Sequence, residues 1–335
     1  PRSTLSSSSA ASDVYKRQSQ NHPDYPEVAY CDDVYAFASL DFVRQQAVRY
    51  NKTGQPFFGL FAAQIPHAPF REIQKLPDWD QAYRDKPYFQ NLSDQSKQWC
   101  AMVTRIDAHF GNLLDALDDP NGDGDTSDSV ARNTLVVFQS DNGGPKGSSR
   151  EELDANGGLL GSKGSIYEGG IRVPTIMRWP AKITTDSKLK AGSNTDLVMD
   201  CADLLPTFCE LAGATTPVGL SGVSLAPTLT GEGEQRIREF LIHEAGGKAS
   251  IIRGRHKLIR PRANAKGVKP GGKKKKDHRK AETEKDSEKV QLYDLKADPA
   301  EKNNIAPKHP QLVKELNALL TGERVDEAVG FANTY

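Results

Sequence analysis

Apolar residues recur at helical spacing over two long stretches of the chain. From Val34 to Tyr50, Phe37, Leu40, Val43 or Phe42, and Ala47 fall on one side, which predicts a helix. From Asp94 to Leu117, Trp99, Val103, Ile106, Phe110, Leu113, Leu114 and Leu117 do the same, with Ser93 or Asp94 placed to cap the start. Between these helices, Pro56 to Ile65 (PFFGLFAAQI) is almost continuously apolar, the pattern of a strand buried on both faces. It runs into Pro66-His67-Ala68-Pro69, which must be loop. Thr134 to Phe138 (TLVVF) repeats the pattern and runs into Gln139-Ser140-Asp141-Asn142-Gly143-Gly144. Strand, helix and strand in this order predict parallel pairing in an α/β sheet.

Further on, residues Gly157 to Gly170 are glycine-rich, and Val173 to Trp179 reads as another strand. Asp196 to Leu211 predicts a helix kinked at Pro206. Residues 212 to 234, rich in glycine, proline, serine and threonine, read as a connection. Beyond it the texture changes to short strand-like pieces at Phe240–His243, Ser250–Arg253, Lys257–Ile259 and Val290–Tyr293, closed by a helix from Pro310 to Leu320. The expected fold is therefore an α/β sheet flanked by helices plus a small C-terminal antiparallel α+β subdomain. Three parts are expected: a non-native or disordered tail over residues 1–20, a larger domain over 21–234, and a subdomain over 235–335. A basic insertion at about 262–288, carrying Lys273 to Lys276, Arg279 and Lys280, interrupts the last.

The 335 residues are 37% hydrophobic and 26% charged, values of a globular protein. Lys plus Arg equals Asp plus Glu at 44 each, so net charge points to no polyionic partner. No apolar run approaches the roughly 20 residues of a membrane helix. The four cysteines, Cys31, Cys100, Cys201 and Cys209, form no CxxC pair and no zinc spacing. Cys201 and Cys209, on one expected helix, lie about 12 Å apart at 1.5 Å per residue, too far for a disulfide.

Three places carry candidate chemistry. Asp141-Asn142 follows a strand, where ligands of open α/β sheets bind. A carboxylate followed by an amide oxygen is a hard-oxygen pair suited to calcium, and the two glycines behind it permit a sharp turn. Taken alone, the pair is equally an Asx turn that ends a strand. His67, held between prolines, can donate a proton near neutral pH, or can be a surface loop histidine. Lys163 is the one cation in Gly157–Gly164, where glycines allow close approach to an oxyanion; singly, it is also an ordinary solvated lysine.

The order and setting of these residues give them meaning. PFFGLFAAQIPHAPF, NTLVVFQSDNGG, GSKGSIYEGGIRVPTIMRWP, DLVMDCADLLPTFCELAGA and LYDLKADPAEKNNIA together resemble the type I sulfatases, from about Tyr25 to Leu320. These are arylsulfatase-like, formylglycine-dependent members of the alkaline-phosphatase-like superfamily. The GSKGSIYEGGIRVP block is the most specific part.

The resemblance implies sulfate monoester hydrolysis with one calcium ion. It implies that Asp141 and Asn142 bind calcium, that Lys163 contacts the sulfate, and that His67 contacts the ester and protonates the leaving alcohol. His243, in LIHEAGG, stands where some members carry a substrate-contacting histidine, though it also reads as an ordinary strand-end residue. Asp141, Asn142, Lys163 and His67 are expected to share one pocket at the carboxyl ends of strands. The implied substrate is a small-molecule or glycan sulfate ester, with no nucleic acid and no membrane partner, in the periplasm or outside the cell. The competing readings are a phosphomonoesterase or phosphodiesterase of the same superfamily, or a non-catalytic binding protein.

The chain departs from the family pattern in one respect. No C/S-x-P-S-R motif, the source of the formylglycine nucleophile, stands in the sequence. The expectation is an N-terminally truncated member in which the nucleophile and the remaining calcium ligands belong to a missing segment, and which is inactive alone. Asp32-Asp33 follow no apolar strand and are not taken for the missing metal pair. Asn121-Gly-Asp123-Gly-Asp125 alternates oxygen ligands, but Thr126 and Arg132 stand where a calcium loop needs glycine and glutamate, so a solvated turn is expected. The Lys273–Lys276 run reads as a solvated loop rather than a nucleic-acid or sulfated-glycan site. Asp107 and His109, two apart on one helix, face different directions and form no site.

Overall fold

The computed structural model describes residues 31–67, 79–261 and 290–331. The expected N-terminal tail and the basic insertion lie outside the described residues, apart from the insertion's flanks. Two compact units are present: residues 1–137 with 177–191, and residues 138–176 with 192–335.

In the first unit, α1 (Cys31–Thr53) and α2 (Asp94–Asp118) are the two helices that the apolar spacing predicts. Ser93 caps α2, its hydroxyl accepting the Ser96 N–H at 3.3 Å. The most buried positions of α2 are Ser96, Ala101, Met102, His109, Ala116 and Leu117 rather than the expected Trp99, Val103 and Phe110. The reason is that α2 is contacted on two sides. Ala101 and Met102 pack with Ile65, while Leu117 packs with Ala47, Val130 and Ala131. Burying a side chain such as Leu117 contributes about 1.5–3 kcal/mol.

Pro56 to Ile65 is not a buried strand. Residues 54–64 have no regular secondary structure, and Phe58 and Leu60 are 64% and 79% exposed. Among the described residues no strand pairs with this segment, and only one side of it is covered: Phe57 meets Phe42 of α1 edge-on and Ile65 is buried, while Phe58 and Leu60 face outward. Its end is nevertheless fixed. Asp32, buried at the start of α1, accepts the N–H groups of Gln64 at 2.8 Å and Ile65 at 3.2 Å.

The chain passes between units within β1 (Val136–Gln139) and β2 (Thr175–Arg178), neighbours in a two-stranded sheet. β1 is only partly covered, contrary to the burial expected of Thr134–Phe138; β2, expected simply as a strand, is no better covered, and Ile176 is 61% exposed.

In the second unit, α3 (Leu204–Leu211) is shorter than the expected helix from Asp196, and a 3-10 turn at Cys201–Asp203 precedes it. Asp200 and Asp203 form a capping box over that turn. Asp200 accepts the Ala202 N–H at 2.9 Å, and Asp203 accepts the Asp200 N–H at 2.8 Å. Pro206 thus falls in the first turn of α3, where its missing N–H is no loss, so no kink arises.

The four short strand-like pieces form one antiparallel sheet in the order β3 (Leu241–Ala245), β4 (Lys248–Arg253), β5 (His256–Pro261) and β6 (Gln291–Asp294). Side chains alternate across it. On one face Ala249, Ile251, Leu258 and Leu292 pack against Leu316 and Leu320 of α4 (Pro310–Phe331). On the other, Ile259 and Tyr293 pack against Ile166 and Tyr167 of the glycine-rich block. The sheet is therefore buried on both sides, and its second face carries the segment that includes Lys163.

Candidate active site

The glycines of the second unit set the site. Where β1 ends, Ser140 donates its hydroxyl to the Asn142 carbonyl at 2.8 Å, and the Gly143 N–H reaches the Gly170 carbonyl at 3.0 Å. A Cβ on Gly143 would lie 1.9 Å from the Gly169 carbonyl oxygen, so only glycine lets the two backbones meet. Gly144 donates its N–H to the Asn156 side chain at 2.8 Å, and its carbonyl accepts the Lys163 N–H at 2.9 Å. Asn156 in turn donates to the Gly161 carbonyl at 2.8 Å. Asp141-Asn142 and Lys163 thus sit on two loops joined backbone to backbone. The backbone is held tightly while the Asp141 and Lys163 side chains are exposed.

Asn142 donates its amide to Asp141 Oδ1. That leaves Asp141 Oδ2 and the side-chain Oδ1 of Asn142 as two hard donors on one turn. They fit calcium in kind and fall short of the 6 to 8 oxygens it takes. Among the described residues, no group of three His, Cys, Asp or Glu side chains could hold a metal.

His243, on β3, lies in the same unit. Its Nε2 is 3.4 Å from Asp200 Oδ2. The bond from His243 holds Asp200 down at about 2, against a smaller upward push from burial. The β3–β4 turn approaches the lysine loop, since a methyl on Gly246 would lie 3.8 Å from the Gly164 carbonyl oxygen. Asp200 was not anticipated from the sequence, where it fell inside the helix expected over Asp196–Leu211.

His67 lies in the first unit and is exposed, its N–H donating to the Gln64 carbonyl at 2.9 Å. It follows a segment without regular secondary structure rather than a buried strand. In that unit Asp32 and Asp33 are committed elsewhere. Arg105 Nε and His109 Nε2 lie 2.7 and 2.9 Å from Asp33 Oδ1. Burial pushes Asp33 up, but hydrogen bonds from His109 and Arg105 hold it below the usual carboxylate range. His109 is buried and Asp107 exposed, so the two face apart as expected. The Asn121–Asp125 loop closes on itself, with Asn121, Asp123 and Asp125 each accepting the N–H two residues on.

The solved structures on which this mixed α/β chain superposes give it the alkaline-phosphatase-like fold. A structure solved in work on glycosaminoglycan metabolism by Bacteroides thetaiotaomicron superposes at a TM-score of 0.62, with 24% identity, covering 89% of this chain and 56% of that one. A structure in complex with its substrate D-glucosamine-2-N,6-O-disulfate superposes at 0.56, with 18% identity, over 85% of this chain and 69% of that one. The phosphonate monoester hydrolase of Silicibacter pomeroyi shares the fold as well, at 0.53 and 18% identity, covering 96% of this chain and 70% of that one.

The Sulfatase family model matches residues 3–214, and the chain belongs to this family. A sulfatase of Formosa agariphila is 37% identical over 56% of this chain and 32% of its own length. The N-acetylgalactosamine-6-O-sulfatase of Bacteroides thetaiotaomicron is 31% identical over 65% of this chain and 40% of its own, and the human N-acetylgalactosamine-6-sulfatase 30% identical over 67% and 37%. The chain spans only about a third to two-fifths of the length of these relatives.

Proposed function

We propose that the whole protein hydrolyses a sulfate monoester, R–O–SO₃⁻ + H₂O → R–OH + HSO₄⁻, and that its substrate is a sulfated sugar or glycan. The observation that carries this is the Gly144–Lys163 backbone bond, which ties an oxygen-donor pair to an exposed ammonium in a chain of the sulfatase family. The sugar preference rests on relatives whose names specify N-acetylgalactosamine 6-sulfate chemistry.

In this reading Asp141 and Asn142 supply two oxygen ligands to a calcium ion, which, when bound, offsets charge on the sulfate oxygens. Lys163 adds a compact positive charge against the same oxygens from a backbone that is already fixed. His67 gives the leaving oxygen its proton, and His243, oriented by Asp200, contacts the alcohol part. The formylglycine nucleophile is not among these 335 residues, so the proposal is for a whole protein that carries it. A periplasmic or extracellular location is part of the same proposal.

The test is to express the full gene with a formylglycine-generating enzyme. Release of sulfate is then measured from aryl sulfate, sulfated monosaccharides and sulfated polysaccharides, with phosphate monoesters and diesters alongside. Sulfate release from a sulfated sugar is expected. Turnover of the phosphate esters alone would overturn the reading.

A further inference from the structure

Among the described residues, Lys257 is the one fully buried lysine, at 0% exposure in β5. It points from the face of the sheet that carries Ile259 and Tyr293. Its Nζ donates to Glu168 Oε1 at 2.8 Å and lies 2.8 Å from Glu301 Oε1. Glu301 Oε2 accepts the backbone N–H of Glu168 at 2.6 Å. Glu301 is itself buried and adopts φ 54, a left-handed backbone that a side chain disfavours, in a turn where its N–H donates to the Asp298 carbonyl at 3.1 Å. Two acids and one base out of water are costly unless each is paired, and here Lys257 lies against both carboxylates while Glu301 also holds the Glu168 N–H.

What the triad holds is the turn under the candidate site. Glu168 opens the Glu168–Ile171 turn, whose Gly170 carbonyl accepts the Gly143 N–H at 3.0 Å. Gly169 donates to the Leu160 carbonyl at 2.7 Å, in the loop that leads to Lys163. The neighbouring Tyr167 is held from the same sheet, its hydroxyl donating to Gln291 at 2.8 Å and receiving Lys248 Nζ at 3.0 Å.

We propose that Lys257 and Glu301 are positioning residues: through Glu168 they set the height of the Gly169–Gly170 turn, and so the spacing of the Asp141-Asn142 and Lys163 loops. The C-terminal sheet is then part of the machinery that holds the oxyanion, although no residue of the triad touches substrate. The inference rests on the sulfatase reading only for its activity arm.

The experiment uses the full-length protein with Lys257→Met, Glu301→Ala, Glu301→Gln and, as a control at the exposed Arg255–Asp294 pair, Arg255→Ala. Deuterium exchange is read by mass spectrometry in peptides covering residues 140–146 and 158–170, and KM and kcat are measured on the best sulfate ester. Lys257→Met and Glu301→Ala are expected to speed exchange in both loops and to raise KM and lower kcat/KM, the latter by up to about a hundredfold, the cost of a misplacement of about 1 Å. Glu301→Gln keeps an oxygen before the Glu168 N–H and is expected to move both readouts less; Arg255→Ala is expected to move neither. If Lys257→Met does not fold, Glu301→Ala against Glu301→Gln reads the same link. Loop exchange and KM unchanged while thermal stability falls, or Gln as disruptive as Ala, would overturn the proposal. If the wild type releases no sulfate, the activity reading fails and the exchange arm still decides this one.

Discussion

Lys163 donates its backbone N–H to the carbonyl of Gly144 at 2.9 Å, two residues beyond Asn142. One bond thus fixes the distance between the loop that offers oxygen ligands and the loop that offers a cation. Because the bond is made by the backbone, the Lys163 side chain is left free to meet an anion.

Lys163→Met is expected to leave folding intact and to damage activity. The side chain is exposed, so stability should change by no more than about 0.5 kcal/mol. Loss of one preorganised contact to the transition state costs about 10²- to 10³-fold, so kcat/KM should fall by that order. Steady-state kinetics and thermal melts on one preparation check both halves.

Gly143→Ala and Gly111→Ala should move stability in opposite directions. The new methyl at Gly143 would strike the Gly169 backbone at 1.9 Å, and such overpacking costs about 1–3 kcal/mol or more. At Gly111, inside α2, a methyl meets nothing within 4 Å, and replacing a helical glycine should stabilise by about 0.5–1 kcal/mol. Denaturant unfolding of both variants gives the comparison.

Asp203→Ala should be among the most destabilising single changes in the second unit. Asp203 is buried, pairs with Arg238 and accepts the Val223 N–H at 2.6 Å. Removing it strands a largely buried guanidinium, which costs about 3–5 kcal/mol. The midpoint of urea unfolding should fall accordingly.

The Asp200–His243 pair predicts a pH dependence. A carboxyl held at about 2 in the fold, below its unfolded value near 3.9, contributes stability that is fully present above the unfolded value. That contribution is lost as pH falls towards 2. The stability gap between wild type and Asp200→Asn should therefore be constant from pH 5 down to about 4 and shrink between 4 and 2. Urea melts across that range check it, and a gap that widens on acidification would contradict it.

Much of the fold was legible because several elements are set by local pattern. The apolar spacing of α1 and α2 and the four short strands followed by α4 needed no tertiary knowledge beyond alternation and capping. Pro56 to Ile65 misled because an apolar run predicts burial only if something covers it, and no described strand pairs with Phe58 or Leu60. Pro206 misled because a proline kinks a helix only in its interior, and the Asp200–Asp203 box moves the helix start to within a turn of it. Asp141, Asn142 and Lys163 could be picked out only together, through their motifs. Glu168, Lys257 and Glu301 could not, since three charged residues far apart in the chain give no sign that they will pair.

The central claim is that the Asp141-Asn142 turn and Lys163 serve sulfate ester hydrolysis. It is tested most directly by sulfate release from a sulfated monosaccharide by the full-length, formylglycine-matured protein and its Asp141→Ala variant, with EDTA and after calcium is restored. The account predicts turnover by the wild type that EDTA abolishes and calcium restores, and a variant that has lost most of its activity or needs far more calcium. Wild-type turnover that Asp141→Ala leaves unchanged would contradict it.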